Sequence, residues 1–396
     1  MLRSLFSGIS GLRVHQTMMD VVGNNIANVN TTGFKSSTTV FQDTLSQVLR
    51  GAGAPVADSG GTNPAQVGLG VGLASITTNF SQGSAQATGR VSDLMIQGDG
   101  FFVVRNPGET LYTRAGAFAF DAEGRLTSPA GGLVQGWSAV NGVVDTNVPV
   151  GDLKLPVGAV LPPVATTLAT LGGNLPSDAA VGTVANTSIK VFDAQGAQSD
   201  LQVSFTMQAG GTWAISSTAG TLDVASLSFS GAGAVPVPLT MNFTPTGGGA
   251  PIAVDMAKLT GYAGQSSMAA LSQDGSTMGS LQAFTMSPDG TLIGVFSNGL
   301  RQALGQVALA NFNNPSGLEK VGGSMYRSTV NSGTELLGAA GTAGRGLLSS
   351  GTLEMSNVDL AAEFTNLIVA QRGFQANSRV ITTSDQILED LVNLKR

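Results

Sequence analysis

The sequence predicts an α+β chain, with an α-helix at each end pairing as a coiled coil around a glycine-rich β middle. Matched apolar stripes at the two termini are the first observation. Leu5, Leu12, Met19 and Ile26 recur every seven residues, with Leu2 and Ile9 alongside; Leu360, Leu367, Phe374, Ile381 and Leu388 do the same, with Phe364 and Val392 beside them. Seven-residue apolar spacing marks a helix that buries a narrow seam against another helix. The second observation is the middle itself, where short apolar runs alternate with glycine turns and no such stripe occurs. Third, Phe118-Ala-Phe-Asp-Ala-Glu-Gly-Arg-Leu126 is echoed by Phe284-Thr-Met-Ser-Pro-Asp-Gly-Thr-Leu292. That echo reads either as two hairpins sharing turn chemistry or as two halves of one domain split by an insertion.

Taken in order, residues 4–28 form an amphipathic helix weakened by Gly8, Gly11 and Gly23, each costing about 1 kcal/mol relative to Ala. Such a helix orders when a partner covers its seam. It ends in Asn24-Asn-Ile-Ala-Asn-Val-Asn-Thr-Thr-Gly33, where Asn and Thr side chains compete for backbone hydrogen bonds. Residues 36–70 read as an extended connector. From 71 to 150 the pattern is β, with strands at 94–96, 101–104 and 118–120 and a hairpin turn at Asp121-Ala-Glu-Gly124. Residues 268–354 continue that domain. Between them, 151–267 form the insertion. Pro156, Pro162, Pro163 and Pro176 mark its entrance, and Gly247-Gly-Gly249 with Pro251 its exit. Alternation in Ile189–Phe192, Leu201–Phe205 and Trp213–Ile215 predicts a small antiparallel barrel or sandwich there. The last helix starts at Ser356-Asn-Val-Asp359, a capping box. Glu354, Asp359 and Glu363 lie at its positive end and Lys395-Arg396 at its negative end.

Composition narrows the function. The chain has 396 residues, enough for two to three domains, and only 11% are charged, against about 25% in an average protein. Net charge is −6, and between Arg125 and Arg301 the only basic residues are Lys154, Lys190 and Lys258. A nucleic-acid surface needs clustered Lys and Arg, so nucleic acid is excluded as a partner. Cysteine is absent, which closes the disulfide-stapled and thiolate-metal classes. No apolar run is long enough to span a bilayer. Met1-Leu2-Arg3 begins like a signal peptide, but Arg13 and His15 break the apolar run and no cleavage site follows. The N-terminus therefore reads as mature structure, and an extracellular chain of this kind leaves by a route that keeps it.

No constellation carries catalysis. The one histidine, His15, sits in a packing helix, so neither a Ser-His-Asp triad nor a His/Cys metal site can be assembled. Asp121, Glu123 and Asp193 lack the spacing of a calcium loop and read as turn residues. Gly98-Asp-Gly100 and Gly68-Leu-Gly-Val-Gly72 lack a phosphate-loop context. Nothing selects a carboxylate pair for glycoside hydrolysis. The expectation is a structural protein with no catalytic, cofactor or metal residues.

Gly23-Asn-Asn-Ile-Ala-Asn-Val-Asn-Thr-Thr-Gly-Phe-Lys35 resembles the N-terminal signature of the bacterial flagellar rod and hook proteins. Ser356-Asn-Val-Asp-Leu360, Asn366-Leu-Ile-Val-Ala-Gln-Arg372, Gln375-Ala-Asn377 and Thr383-Ser-Asp-Gln-Ile-Leu388 resemble that family's C-terminal helix. Gly98–Val104 and Tyr112–Gly116 are similar to its β domain. Val191–Gly196, Leu201–Phe205, Trp213, Phe296–Gly299, Leu304–Ala310 and Asn314–Leu318 are similar to the hook-type members, which carry the insertion. The resemblance implies a homopolymer: a curved hollow tube that joins rod to filament and serves as an export channel. It implies a helical domain of 1–35 and 355–396 lining the channel, with the discontinuous domain of 71–150 and 268–354 outside it and 151–267 outermost. Implied partners are further copies, the distal rod, the hook cap, the hook–filament junction and the export apparatus, in an extracellular flagellar location without membrane insertion. The assembly residues it implies are Leu5, Ile9, Leu12, Met19, Ile26, Asn24, Asn25, Asn28, Leu360, Phe364, Leu367, Phe374, Ile381 and Leu388. Competing readings are a distal rod protein of the same family and an extracellular β-rich adhesin.

Overall fold

A computed structural model describes residues 2–55, 60–156, 158, 160–230, 235–246 and 249–393, without the side chains of Leu2 and Leu391. The Leu2 side chain, Gly247-Gly248 and Lys395-Arg396 therefore lie outside the described residues. The chain is mostly β with one helix at each end. It divides into two compact units: Met1–Pro156, Thr285–Ile293 and Ala303–Arg396 in the first, Val157–Phe284 and Gly294–Gln302 in the second. The second unit thus takes in 268–284 and 294–302, which the sequence division gives to the surrounding domain.

Helix α1 runs Leu2–Ala27 and helix α2 runs Leu360–Asn393. The cap of α2 is Asp359 and not Ser356. The Asp359 Oδ1 accepts from the N–H groups of Ala361 at 2.9 Å and Ala362 at 3.3 Å, and its carbonyl accepts from Glu363 N–H at 2.9 Å. Ser356 Oγ serves the turn before it, accepting from Val358 N–H. A carboxylate next to the first turn also suits the helix dipole better than a hydroxyl four residues upstream.

Residues 36–70 are not an extended connector. Ser37–Asp43 pairs antiparallel with Val71–Thr78, and Ser46–Arg50 pairs with Ala65–Gly68, so most of the segment folds back on itself as a two-stranded ribbon. Its strands alternate Thr, Val, Phe and Leu, which suit a pleated ribbon, but the flanking Ser/Gly/Pro content masks this in a composition-based reading.

The first unit's sheet is built from both stretches of chain. Phe101–Asn106 pairs with Glu109–Thr113, Val134 and Leu133 pair with Val104 and Arg105, Gly136–Ser138 pair with Gly305–Val307, and Leu309-Ala310 pair with Phe102 and Phe101. Phe101-Phe-Val-Val104 is continuously apolar because both faces of this strand are covered. Phe102 and Val104 join Leu94, Ile96, Phe118 and Val307 on one side. Phe101 and Val103 join Tyr112, Phe312 and Tyr326 on the other.

The echo between 118–126 and 284–292 is turn chemistry. In each string a residue's N–H bonds to the carbonyl four positions on, and the intervening glycine bonds back: Asp121 with Arg125 and Gly124, Ser287 with Thr291 and Gly290. Gly124 and Gly290 sit at φ 77° and 83°, a left-handed position that glycine occupies without strain. The same arrangement recurs at 128–132, 193–197 and 296–300, so the echo marks shared hairpin chemistry, while it is the strand pairing of 101–102 and 136–138 with 305–310 that joins the two stretches in one sheet.

The second unit, taken alone, is a sandwich. One five-stranded sheet runs Val184–Phe192, Gln198–Met207, Trp213–Ser217, Ser226–Ser230 and Val235–Val237. The other contains Gly220–Leu222, Thr240–Pro245, Ile252–Thr260, Leu168–Asn174 and Ala269–Gln273. Leu168–Asn174 and Ile252–Thr260 are parallel, a departure from an all-antiparallel insertion. Alternate residues of both sheets, Ile189, Val191, Val203 and Phe205 against Met241, Phe243, Val254 and Met256, fill a single core around the buried Trp213.

Candidate assembly surface

The two helices run antiparallel against each other, and the contact is made mostly by small and polar residues, with Ile381 and Val380 beside Gly8. Ser4 and Ser384 hydroxyls lie 3.4 Å apart, and Asn25 Nδ2 donates to Glu363 Oε1 at 2.9 Å. Between these ends, Gly8 faces Ile381, Gly11 faces Asn377 and Gly373 faces the His15 ring. A Cβ on Gly11 would stand 2.7 Å from the Asn377 amide, and one on Gly373 would stand 2.5 Å from His15. Glycine here is an instrument of close approach, not only a source of helix weakness.

Asn25 is buried and fully used. Its amide also donates to the Ser37 carbonyl at 2.8 Å, and its Oδ1 accepts from Ser37 N–H at 3.0 Å. It thereby joins α1, α2 and the ribbon. Asn24 and Asn28 finish α1 instead. Asn28 Nδ2 donates to the carbonyl and Oδ1 of Asn24, both at 2.9 Å, and Thr31 Oγ1 donates to Asn28 Oδ1 at 3.0 Å. These bonds occupy carbonyl groups that a helix end leaves open.

A buried ionic cluster fixes the chain just beyond both helices. Lys35 Nζ donates to Glu354 Oε1 at 2.6 Å and to the Ser81 carbonyl at 2.7 Å. Arg114 Nη1 lies 3.6 Å from Glu354 Oε2 and donates to the Gly98 carbonyl at 2.9 Å. Gly83 N–H also donates to Glu354 Oε1, and Gly33 N–H to its carbonyl. Burial pushes the Lys35 ammonium below its ordinary pKa, against the opposing pull of Glu354. Burial lowers Arg114 as well and raises the neighbouring Tyr326 phenol. Asn357 completes the joint: its Oδ1 accepts from Ser36 N–H at 2.8 Å, and its Nδ2 donates to the carbonyls of Asn79 and Ser81. The segment after α1 and the segment before α2 are thus held together through one set of polar groups.

The predicted apolar stripe is split by this arrangement. Leu367, Ile381 and Leu388 are half-buried, and Ile381 meets Gly8. Leu5, Ile9, Leu12, Met19 and Ile26 are also only half-buried, while the most covered positions of α1 are Gly8, Gly11, Val14, Val22 and Asn25. Leu360, Phe364 and Phe374 are exposed, Phe364 by 51%. Ile368, Val369, Val380, Ile387 and Val392 are exposed too, so one chain leaves most of its helical apolar surface uncovered. The sequence reading missed Lys35, Arg114, Glu354, Asn357 and Glu363 as a set. The available signal was a lysine and a glutamate in otherwise charge-poor stretches.

Four family descriptions match the chain. They are the flagella basal body rod protein over 5–35, the flagellar hook protein FlgE/F/G D1 domain over 95–169, the flagellar basal body protein FlaE D2 domain over 164–276, and the flagellar basal body rod FlgEFG protein C-terminal over 349–394. The chain is 40% identical to the flagellar hook protein FlgE of Borreliella burgdorferi, with all of both chains covered. It is 35% identical to that of Escherichia coli over 98% of each, and 34% identical to the flagellar basal-body rod protein FlgG of Bacillus subtilis over the whole of both. Among solved structures, that of Helicobacter pylori flagellar hook protein FlgE2 shares the fold, with a TM-score of 0.54 at 15% identity over 68% of this chain and all of the other. The terminal helices, the flanking β domain and the inserted sandwich each find their counterpart, and the chain belongs to the flagellar hook protein family, whose members are structural and not enzymatic.

Proposed function

We propose that the chain is the repeating subunit of a curved hollow tube, the joint between flagellar rod and filament, and that the export channel runs through it. The observation that carries this reading is the helix pair. Its internal seam is mostly small and polar, whereas large apolar residues such as Phe364, Ile368 and Val369 stay exposed, a surface that only other copies of the helices would cover in a chain of this kind. In the tube, 1–35 and 355–396 line the channel. The discontinuous β domain of 71–150 and 268–354 forms the middle shell, and the inserted 151–267 the exterior. The ribbon of 36–70 bridges helices and sheet. The assembly residues are the half-buried and exposed heptad positions, with Asn24, Asn25 and Asn28 shaping the exit of α1. The distal rod, the cap, the hook–filament junction and the export apparatus are the remaining partners.

Low charge suits a joint whose subunits slide past one another on each turn, because fixed ion pairs would favour particular registers. Truncation after Asp359 tests the reading. The shortened chain is expected to keep a folded β core by circular dichroism and to form no tubes by electron microscopy; tubes from the truncated chain would overturn it. A straight polymer from the full chain would favour the distal-rod reading; identity to the basal-body rod protein FlgG of Bacillus subtilis, 34%, is as high as that to several hook proteins. A stable monomer at rising concentration would favour an adhesin.

A further inference from the structure

The chain contains two Asn-Gly pairs, Asn141-Gly142 and Asn298-Gly299. Such a pair can react with itself, because the glycine backbone nitrogen approaches the asparagine side-chain carbonyl with no Cβ in the way. Reaction needs a free side chain, a free N–H and room to turn. The two pairs differ in all three.

Asn298 is locked. Its Nδ2 donates to the Thr277 carbonyl at 2.8 Å, and its Oδ1 accepts from Leu300 N–H at 3.1 Å. Gly299 N–H donates to the Phe296 carbonyl at 2.9 Å. Asn141 is exposed instead, and among the described residues neither its side chain nor Gly142 N–H has a hydrogen-bond partner. The pair makes the tip of a hairpin, with φ of 52° at Asn141 and 80° at Gly142, as a two-residue I′ turn requires. Strand Leu133–Val140 leaves the main sheet after Ser138, which pairs with Gly305. Beyond that point only Ala139 with Val144 and Val140 with Val143 hold the tip. So short an end opens locally at small cost, and Asn141 can then turn its side chain onto the Gly142 nitrogen.

We propose that Asn141 is a site of spontaneous covalent modification, passing through a cyclic imide to aspartate or isoaspartate, while Asn298 is protected. The Gly142 nitrogen bonds to Asn141 Cγ, its proton passes to Nδ2, and Nδ2 leaves as ammonia. Water then opens the ring. Attack at Cγ breaks the new bond and gives aspartate. Attack at the backbone carbonyl breaks the original peptide bond and gives isoaspartate, with the chain running through Cβ. Water is the only co-reactant, and nothing is oxidised or reduced. Either product adds one negative charge to a chain whose net charge is −6.

Incubation of the full-length protein at mildly alkaline pH in water labelled with heavy oxygen, followed by peptide mass spectrometry, tests this. The peptide holding Asn141 is expected to lose ammonia and take up labelled oxygen. The Asn298 peptide is expected to react at least about tenfold more slowly, since its hydrogen bonds must break first. In the urea-unfolded chain the two peptides are expected to react alike, which sets the scale. On that scale, an Asn141 peptide that stays unlabelled in the folded chain would overturn the proposal, and so would an Asn298 peptide labelled as fast. Ion exchange gives a second reading. Aged wild-type protein is expected to yield a more acidic species that Asn141→Gln does not form, and the same species from that variant would place the reaction elsewhere and refute the assignment.

Discussion

At the scale of single residues, the strongest constraint is Glu354. It alone holds Lys35 against the Ser81 carbonyl and stands beside Arg114, all three side chains being almost wholly buried. Removing one partner of a buried pair strands a charge, at a cost of about 3–5 kcal/mol. Glu354→Gln is expected to destabilise the first unit by that amount. Lys35→Met costs less, because Glu354 keeps Arg114 and the Gly83 N–H. The chain supplies its own reporters, since Trp137 lies in the first unit and Trp213 in the core of the second. Urea unfolding followed through Trp137 in a Trp213→Phe background should therefore move with Glu354→Gln. A second residue-scale prediction concerns acid. Burial raises the Asp274 carboxyl, but bonds from Thr167 Oγ1–H and the N–H groups of Leu168 and Thr167 outweigh it, and the net shift is below the ordinary value of 3.8. A depressed carboxyl adds stability above the unfolded pKa and loses it as pH falls through the lower folded one. The second unit should lose stability below about pH 4. Asp274→Asn should flatten that acid limb in melts followed through Trp213, and an unchanged acid limb would show that other groups carry it.

At the scale of elements, the three glycines of α1 separate into two kinds. Around Gly23 an added Cβ meets nothing within 4 Å, whereas at Gly11 it stands 2.7 Å from Asn377. Gly23→Ala is expected to stabilise α1 by up to about 1 kcal/mol. Gly11→Ala is expected to push the Asn377 amide aside from the Gly373 carbonyl it donates to, and the loss of that bond, about 0.5–1.5 kcal/mol, offsets the gain in helix propensity. Helical circular dichroism against temperature separates the two, and equal effects would mean the helices are not held by close approach. These glycines also show how far the sequence could be read. Seven-residue spacing revealed both helices to within a few residues, and alternating patterns revealed strands such as Leu201–Phe205. The internal seam was not legible, because Gly8, Gly11, Ser384, Asn377 and Gly373 leave no apolar period. The ribbon of 37–78 was hidden for a similar reason: Ser, Thr and Gly dilute its strands below the contrast that marks one. Lys35 and Glu354 are 319 positions apart, and no local pattern links residues at that distance.

At the scale of the whole molecule, the second unit is the part most separable from assembly. It has a core of its own, from Ala169 to Leu259, and α1, α2, the ribbon and the ionic cluster all belong to the first unit. The boundary does not fall at one cut. The chain crosses between units after Pro156, Phe284, Ile293 and Gln302, so removal of 151–267 alone leaves Ala269–Gln273 without its partner strand Leu168–Asn174. A cleaner excision replaces 157–284 and 294–302 by two short turns, using an Asp-x-x-Gly sequence of the type already found at 121–124. The excised chain is expected to retain the Trp137 environment and the helix pair, and to polymerise. If contacts of the inserted unit set the curvature, as the joint reading requires, its polymers are straighter or stiffer than those of the full chain. Curvature and bending fluctuations measured on negatively stained polymers distinguish the outcomes. Straight tubes assign bending to the second unit and cohesion to the helices. Undiminished curvature moves bending into the first unit, where the ribbon is the element left to flex. Complete loss of assembly despite a native Trp137 signal would mean that cohesion itself runs through the insertion, and that the division between a binding core and a sliding exterior is wrong.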